Sequence, residues 1–339
     1  MSIKRFDMEN KGCPRRVSTQ GKRKLAAALI GVLSFTASTV FAADAKPSTA
    51  SGASGHGSLA EVGAKLSDPL SDVWALFTEI DYTWSDGDFT DGDHRTGQSI
   101  IFQPIMPFKL TANYKLITRP TLPIIAATDI PDGRRIDSVN LPGGGGVLIG
   151  PFGEVTFSSK SGLGDMSLPL LVAPKPKPGE RWGFGLGPTF VFPTATKDEL
   201  GTDTWEIGPA AVVTYKTKKF SGAVLGQYWW NYAESENDTP DTSHGSILYS
   251  AWWNLPKAWQ VGFNPTATYN HKAGSDDKWN VPLGFGVAKT IKLGKMPVKF
   301  QLSAEKSVVR QDDFGKDWNV RLNIIPVIPA LVKDPLFGG

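Results

Sequence analysis

The chain has 339 residues, enough for two ordinary domains or one large β domain. Its 36 basic and 33 acidic residues nearly balance, which excludes a strongly basic nucleic-acid-binding protein. The eleven Trp, seven Tyr and eighteen Phe accompany a slightly negative mean hydropathy. A soluble protein and an outer-membrane barrel with a polar lumen both fit that composition.

The N-terminus has the parts of a secretory signal peptide in their usual order. Lys22, Arg23 and Lys24 precede an apolar run that ends at Ala42, and Val40-Phe41-Ala42 is a small-residue cleavage site. Ser and Thr residues within the run, and the lack of a basic flank after it, disfavour a transmembrane anchor. We therefore assign residues 1–42 to a cleaved signal peptide that directs export. The only cysteine, Cys13, precedes the run, so disulfides, thiolate catalysis and cysteine metal sites are excluded from the mature chain.

Residues 43–67 are rich in Ala, Ser, Gly and Lys and predict a flexible periplasmic tether, with a short helix over 59–66 before Pro69. Beyond Ala43 there is no uninterrupted apolar stretch of about 18 residues. A mature chain that lies in a membrane must then be a closed β-barrel, because only helices and closed barrels satisfy the backbone hydrogen bonds in lipid.

From Val73 almost to the end, apolar and polar residues alternate with period two. In the first segment Ile80, Tyr82 and Trp84 alternate with polar residues, and eleven further segments follow the same pattern. The sequence predicts an all-β fold, a transmembrane antiparallel β-barrel of about twelve strands over residues 68–328, with both termini in the periplasm. Residues 329–339 are expected to form a C-terminal tail.

Large aromatic side chains lie near the ends of these segments, on the apolar face. Two girdles of aromatic rings at the lipid headgroups account for that placement better than a soluble core does. The rings are Trp84, Trp182, Trp205, Tyr215, Trp230, Trp253, Trp259, Tyr269, Trp279 and Trp318.

The connections alternate between two kinds. Those after even-numbered strands are short and rich in Lys, whereas the others are generally longer and acidic. Short turns on one rim and long loops on the other are typical of outer-membrane barrels. The longest connection, residues 127–162, contains Gly143-Gly144-Gly145-Gly146 and either folds into the lumen or lies outside it.

Eight charged residues fall on the polar face of their strands and are candidates for lining the lumen. Two roles stay open for them: a network of paired charges that rigidifies the barrel, and a polar constriction that selects solutes. They are Glu79, Asp81, Lys115, Arg119, Asp165, Glu206, Glu305 and Arg321.

The sequence offers no catalytic, cofactor or metal site. The four histidines, His56, His94, His244 and His271, have no metal-ligand spacing, and we place them in the tether and in loops. Ser243-His244 suggests a barrel-embedded lipid hydrolase, but no orienting third group is evident nearby. We expect no enzymatic activity and no cofactor.

Several motifs resemble the outer-membrane family associated with the meta-pathway of phenol degradation, and the similarity extends over roughly residues 68–328. They are Asp68-Pro69, Gly162-Leu163-Gly164-Asp165, the run Trp182 to Pro188, the run Phe192 to Thr196, the run Trp205 to Pro209, the run Trp279 to Pro282, and Lys292 to Lys295. The resemblance implies a barrel and, by association, a channel or transporter for small apolar or aromatic solutes in the cell outer membrane. A barrel-embedded lipid hydrolase and a surface adhesion or structural barrel are the alternatives. The expected partners are outer-membrane lipid and lipopolysaccharide, the barrel-insertion machinery and a small apolar solute, with no nucleic acid.

Overall fold

A computed structural model describes residues 58–90, 92–131, 155–234 and 241–337. The predicted signal peptide and its cleavage site lie outside these residues. Within the described ranges, no helix combines the length and the apolar character that crossing a membrane requires.

The described chain folds as one α-helix followed by fifteen β-strands that belong to a single sheet. The helix α1 spans Leu59–Leu66, the range in which the sequence placed a short helix. The strands are β1 Ala75–Asp86, β2 Arg95–Lys109, β3 Tyr114–Thr118, β4 Leu122–Pro131, β5 Phe157–Leu163, β6 Met166–Pro174, β7 Trp182–Phe192, β8 Thr204–Lys216, β9 Phe220–Glu234, β10 Ser243–Leu255, β11 Trp259–Phe263, β12 Thr266–Asn270, β13 Trp279–Leu293, β14 Met296–Val309 and β15 Gly315–Pro326.

The sheet closes on itself because β1 pairs antiparallel with both β2 and β15. Three crossing strands are each divided into two halves, namely β3 and β4, β5 and β6, and β11 and β12. Pro120 and Pro265 lie at two of these divisions, where the missing amide hydrogen interrupts the ladder. With each divided pair counted once, the barrel has twelve crossing strands, and the predicted antiparallel barrel is confirmed.

Side chains alternate between the two faces of the wall, as the period-two pattern predicts. In β1, Ile80 is exposed on the outside, whereas its neighbours Glu79 and Asp81 are buried inside. The outer face carries most of the large exposed apolar residues, among them Phe184, Leu186, Val224, Leu283, Phe285 and Leu302. A soluble protein keeps such a surface small, so this band indicates a lipid-facing exterior.

The two rims of the barrel differ, as the sequence indicated. Only two residues join β13 to β14, and three join β8 to β9, whereas the connections at the opposite rim are generally longer. The connection predicted over residues 127–162 is shorter than expected, because β4 continues to Pro131 and β5 begins at Phe157. These extensions pair with each other. Their backbone N–H and C=O groups are therefore hydrogen-bonded, although their sequences show little alternation of apolar and polar residues. The glycine run Gly143–Gly146 lies outside the described residues.

Residues 43–57 of the predicted tether lie outside the described residues, and residues 59–66 form the short helix that the sequence predicted within it. A capping box between Ser58 and Glu61 begins α1. Val62 and Leu66 lie on one helix face and are buried in the main apolar cluster of the barrel interior. We call residues 58–74 the lumen segment, because burial of that face orders it inside the barrel.

Polar contacts fix the lumen segment near the short-turn rim. Lys299 on β14 donates a hydrogen bond of 2.6 Å from Nζ to Ser67 Oγ. Lys216 pairs with Asp68 at 3.1 Å between Nζ and Oδ2. The Lys115 ammonium contacts the Leu70 carbonyl and lies 2.7 Å from an Asp72 carboxylate oxygen. These lysines lie near the short-turn ends of β14, β8 and β3, so the lumen segment narrows that end of the barrel.

The described part of the C-terminal tail, residues 329–337, contains no helix or strand. Its end returns to the turn after β2, where the Leu336 amide donates to the Lys109 carbonyl at 2.8 Å and the Phe337 amide to the Leu110 carbonyl at 3.1 Å. The tail therefore lies at the short-turn rim, where β1 begins and β15 ends.

Candidate functional site in the barrel lumen

A cavity of about 110 Å³ lies inside the barrel and is lined by residues from opposite sides of the wall. One side carries charged residues of β1, β14 and β15 and the break between β3 and β4. The other side, on β6, β9, β10 and β12, carries apolar and uncharged polar residues. The charged residues are Glu79, Arg119, Glu305, Lys316 and Arg321, and those facing them include Pro169, Leu225, Gln227, Ser246, Leu248 and Thr268.

Arg321 is the centre of a buried ion-pair network on the charged side. Its Nε lies 2.9 Å from an Asp81 oxygen and 3.2 Å from a Glu79 oxygen, and its Nη1 lies 3.1 Å from a Glu305 oxygen. Asn319 adds a hydrogen bond of 2.6 Å to Asp81. Buried charges require such pairing, since the desolvation of one unpaired ion costs several kcal/mol. Arg321 and its neighbours Glu79, Asp81, Glu305 and Asn319 therefore form one network of ion pairs and hydrogen bonds.

Arg119 lies in the break between β3 and β4 and has different partners. Its Nε donates to Gln103 Oε1 at 2.9 Å, and its guanidinium carbon lies 5.1 Å from the centre of the Phe77 ring. Among the residues that the structure describes, no carboxylate lies within ion-pair distance of Arg119. Arg119 lines the cavity and keeps hydrogen-bonding capacity beyond its contact with Gln103.

The structure places the other three lumen candidates away from this cavity. Lys115 contacts the lumen segment. Asp165 accepts backbone hydrogen bonds from Ala195 at 2.9 Å and from Thr202 at 2.7 Å, which attaches the β7–β8 loop to the wall. In the same loop a hydrogen bond from Lys160 to Glu199 lowers the pKa of Glu199 below its ordinary value.

Glu206, the remaining candidate, pairs with a histidine that the sequence placed in a loop. His244 instead lies within β10, 2% exposed, with Nε2 2.7 Å from Glu206 Oε2. The Trp229 ring stacks on His244 at a centroid distance of 5.3 Å, and the Trp229 Nε1 donates to Thr189 at 3.1 Å. The loop assignment was wrong because the strand begins at Ser243, earlier than the apolar alternation shows.

Trp229 and Trp252 are functional candidates that the sequence reasoning missed. Both are buried inside the barrel, whereas their neighbours Trp230 and Trp253 face outward. Trp252 lies under the Lys299 ammonium, 4.9 Å from its ring centre. The two adjacent Trp-Trp pairs in the sequence could have predicted these inward rings, because neighbouring residues of a strand face opposite sides of the wall.

Ser243 and His244 do not form a nucleophile–base pair. The Ser243 hydroxyl is 2.6 Å from the Tyr228 hydroxyl on one face of the wall, while His244 faces Glu206 on the other. A serine hydrolase requires the base within hydrogen-bonding distance of the nucleophile, so this geometry gives no support to the lipid-hydrolase alternative.

A groove of about 330 Å³ lies on the outer side of the wall next to the cavity. Its lining includes Gly226, Gly245, Tyr228, Tyr269 and Trp279, and it shares Gln227 and Ser246 with the lumen cavity. The β8–β9 ladder skips Gly208 and Pro209 in this region, since proline has no amide hydrogen to donate. The groove and the cavity therefore adjoin the same part of the wall, at Gln227 and Ser246.

One cluster of possible metal ligands lies at the long-loop rim, where Asp86, His94 and Asp317 converge. His94 Nδ1 is 3.4 Å from Asp86, and Arg310 and Lys306 already contact the carboxylates of Asp86 and Asp317. The basic partners compensate the acidic charge, so the cluster is explained as a rim ion-pair network.

A comparison with protein families gives a match over residues 136–312, more than half of the chain, to the family described as "Putative MetA-pathway of phenol degradation". The chain belongs to this family. The resemblance noted in the sequence is thereby confirmed.

Among solved structures, the fold is similar to the COG4313 outer membrane channel from Pseudomonas putida F1, with 13% identity and a TM-score of 0.52 over 76% of this chain and 96% of that one. The NanC porin is 9% identical with a TM-score of 0.42 over 75% and 99% of the two chains. The CymD monoaromatic hydrocarbon channel is 8% identical with a TM-score of 0.35 over 80% and 90%. No curated protein matches the sequence. The first comparison supports the fold of an outer-membrane barrel.

Proposed function

We propose that this chain is an outer-membrane channel for small apolar or aromatic solutes. The observation that carries the proposal is the solute-sized cavity in the lumen of a closed barrel whose exterior is apolar. An engineered cavity of about 150 Å³ in a protein core binds benzene, so a cavity of about 110 Å³ is of the right order for a single-ring solute. Family membership and the outer-membrane fold also support a channel function.

The outer groove supports a route for apolar solutes between the bilayer and the lumen. Its Tyr and Trp rings offer the flat apolar contacts that an aromatic solute prefers, and its shared residues Gln227 and Ser246 place it next to the cavity. The lumen segment narrows the short-turn end of the barrel. A route through the wall at the outer groove would let a solute leave the lumen without crossing that narrowed end.

The test compares two tryptophan substitutions on adjacent residues of β9. Leu225 lines the cavity, whereas Val224 faces lipid with half of its surface exposed. We expect Leu225→Trp to reduce protein-dependent uptake of labelled toluene or phenol by cells about tenfold, because the ring fills the cavity. Val224→Trp should leave uptake unchanged, since tryptophan is tolerated on the lipid face.

The proposal is contradicted if cells that contain the intact barrel take up these solutes no faster than cells that lack it. Barrel integrity is checked by the shift in gel mobility between unboiled and boiled samples. No observation favours the adhesion alternative, and the opposed positions of Ser243 and His244 argue against lipid hydrolysis by that pair.

A further inference from the structure

A lysine on the lipid-facing side of the wall lies near the short-turn rim. Lys289 on β13 is paired in register with Trp259, the first residue of β11. Residues paired across two strands share a face of the sheet, and Trp259 is one of the large exposed residues of the exterior. Lys289 therefore faces lipid, where an ammonium is costly unless it reaches the polar headgroups.

The Lys289 ammonium has few partners within the protein. Its Nζ lies 4.8 Å from the centre of the Trp259 ring, a cation–π distance, and donates to the Lys257 carbonyl. Within the described ranges, no carboxylate lies within ion-pair distance of Lys289. An ammonium has three N–H donors, so two remain for an acceptor outside the protein.

A second lysine on the outer face shows what Lys289 lacks. Lys306 on β14 is paired in register with Trp318 near the long-loop rim, and its Nζ lies 5.2 Å from the centre of that ring. The Lys306 ammonium also contacts the Asp317 carboxylate, which compensates its charge. The two sites share the lysine and the ring, but only Lys306 has a carboxylate from the chain itself.

The short-turn rim around Lys289 attracts anions. The turns that follow β8, β10 and β13 are neighbours along this rim, because β14, β13, β11, β10, β9 and β8 are consecutive in the sheet. They contain no Asp or Glu, and four of their residues are exposed lysines: Lys218, Lys219, Lys257 and Lys295. Basic clusters of this kind attract anionic lipid headgroups.

Apolar residues beside Lys289 favour a lipid over a free anion. Leu255 at the end of β10 and Leu293 at the end of β13 are both exposed at this rim. Leu255 is paired with Trp259, and Leu293 has the same parity as Lys289 along β13. Both can contact acyl chains, whereas a free phosphate gains nothing from such a surface.

We propose that Lys289 and Trp259 form a binding site for the phosphate headgroup of an anionic phospholipid. Lys289 donates hydrogen bonds to the phosphate oxygens, and the Trp259 ring holds the ammonium at the level of the headgroups. Leu255 and Leu293 contact the acyl chains. The proposal depends on the lipid-facing exterior of the barrel and is independent of the channel function.

The experiment measures binding of phosphatidylglycerol to the folded barrel in detergent by native mass spectrometry, with phosphatidylcholine as the zwitterionic comparison. We expect phosphatidylglycerol to bind more tightly than phosphatidylcholine. Lys289→Met should weaken phosphatidylglycerol binding about fivefold, the effect of one lysine at an anionic lipid surface, and leave phosphatidylcholine binding unchanged. Lys289→Arg keeps the charge and should retain the affinity.

The matched control is Lys306→Met, which removes the other outer-face lysine that lies on a Trp ring. It should leave phosphatidylglycerol binding unchanged, because Asp317 already compensates Lys306. The shift in gel mobility between unboiled and boiled samples checks that each variant is folded.

The inference is overturned if folded Lys289→Met binds phosphatidylglycerol like the unaltered chain, or if Lys306→Met weakens binding equally. Equal affinity of the unaltered chain for the two lipids would also contradict it. Displacement of phosphatidylglycerol by inorganic phosphate would show that the site takes a free anion and would overturn the assignment to a lipid.

Discussion

Glu206 and His244 form a hydrogen-bonded pair that is almost completely shielded from solvent on the inner wall. Thr204 donates a further hydrogen bond of 3.1 Å to Glu206, and Trp229 covers the histidine ring. Removal of one member of such a buried pair is costly, because its partner remains desolvated without compensation. Loss of one member should therefore destabilise the barrel more than loss of one member of a surface ion pair.

The alanine variant of Glu206 tests this contribution. We expect Glu206→Ala to lower the free energy of unfolding by about 3 kcal/mol, measured by urea denaturation in lipid vesicles with tryptophan fluorescence. Glu199→Ala is the control, since Glu199 pairs with Lys160 at a partly exposed site. Such pairs contribute less than about 1 kcal/mol. Equal losses in the two variants would show that burial does not govern the strength of these pairs.

The helix α1 is held in the lumen by close packing at Gly63. A Cβ at this position would lie 2.5 Å from the hydroxyl oxygen of Thr290 on β13. A larger side chain must therefore displace either the helix or the wall, and the wall is fixed on both sides by the strand ladders of β13. Displacement of α1 would widen the short-turn end.

We predict that Gly63→Leu raises the single-channel conductance in planar bilayers at least severalfold. Ala60→Leu is the matched control, because Ala60 lies on the exposed face of the same helix, and it should behave like the unaltered chain. Unchanged conductance in a correctly folded Gly63→Leu barrel would mean that the lumen segment does not limit the flow of ions.

The outer groove can be blocked by a substitution at Gly226 on β9, which tests whether it lies on the path of the solute. A Cβ on Gly226 would meet no heavy atom within 4 Å, so a phenyl ring can occupy the groove without disturbing the strand. Gly226→Phe should reduce protein-dependent uptake of phenol severalfold, while Val224→Phe, two residues earlier on the same face, should not. If both variants transport phenol like the unaltered chain, the groove does not lie on the path of the solute.

The crossing strands were predictable from the sequence because lipid and lumen impose opposite polarities on alternate residues. The breaks at Pro120 and Pro265 follow from the missing amide hydrogen, but Pro104, Pro188 and Pro209 lie inside strands, so proline alone does not predict where a strand divides. The docking of α1 was not predictable, since an eight-residue amphipathic pattern does not specify what it packs against.

The candidate site was partly predictable. The alternation of polar and apolar residues predicted that the side chains of Glu79, Asp81, Glu305 and Arg321 face the lumen. It did not predict that the three carboxylates contact Arg321, because that depends on the pairing of β1 with β15. The pairing of Glu206 with His244 depends on which strands become neighbours. Contacts between residues distant in sequence leave no trace in local periodicity.

At the scale of the whole molecule, the two rims of the barrel differ in charge and in the length of their connections. The short turns carry lysines such as Lys218, Lys219 and Lys295, whereas the long loops carry acidic groups such as Asp276 and Asp277. Outer-membrane barrels have short periplasmic turns and longer extracellular loops. The lumen segment and the C-terminal tail both lie at the short-turn rim, so we predict that both face the periplasm.

Cysteine labelling tests that orientation directly, because the only natural cysteine is Cys13 in the predicted signal peptide. Asp276→Cys in a long loop should react with a membrane-impermeant maleimide in intact cells. Lys218→Cys in a short turn should react only after the outer membrane is disrupted, and the unaltered chain provides the background. Both substitutions lie in exposed connections, so neither should disturb the barrel. Reaction of Lys218→Cys but not Asp276→Cys in intact cells would reverse the orientation and place the lumen segment at the cell surface.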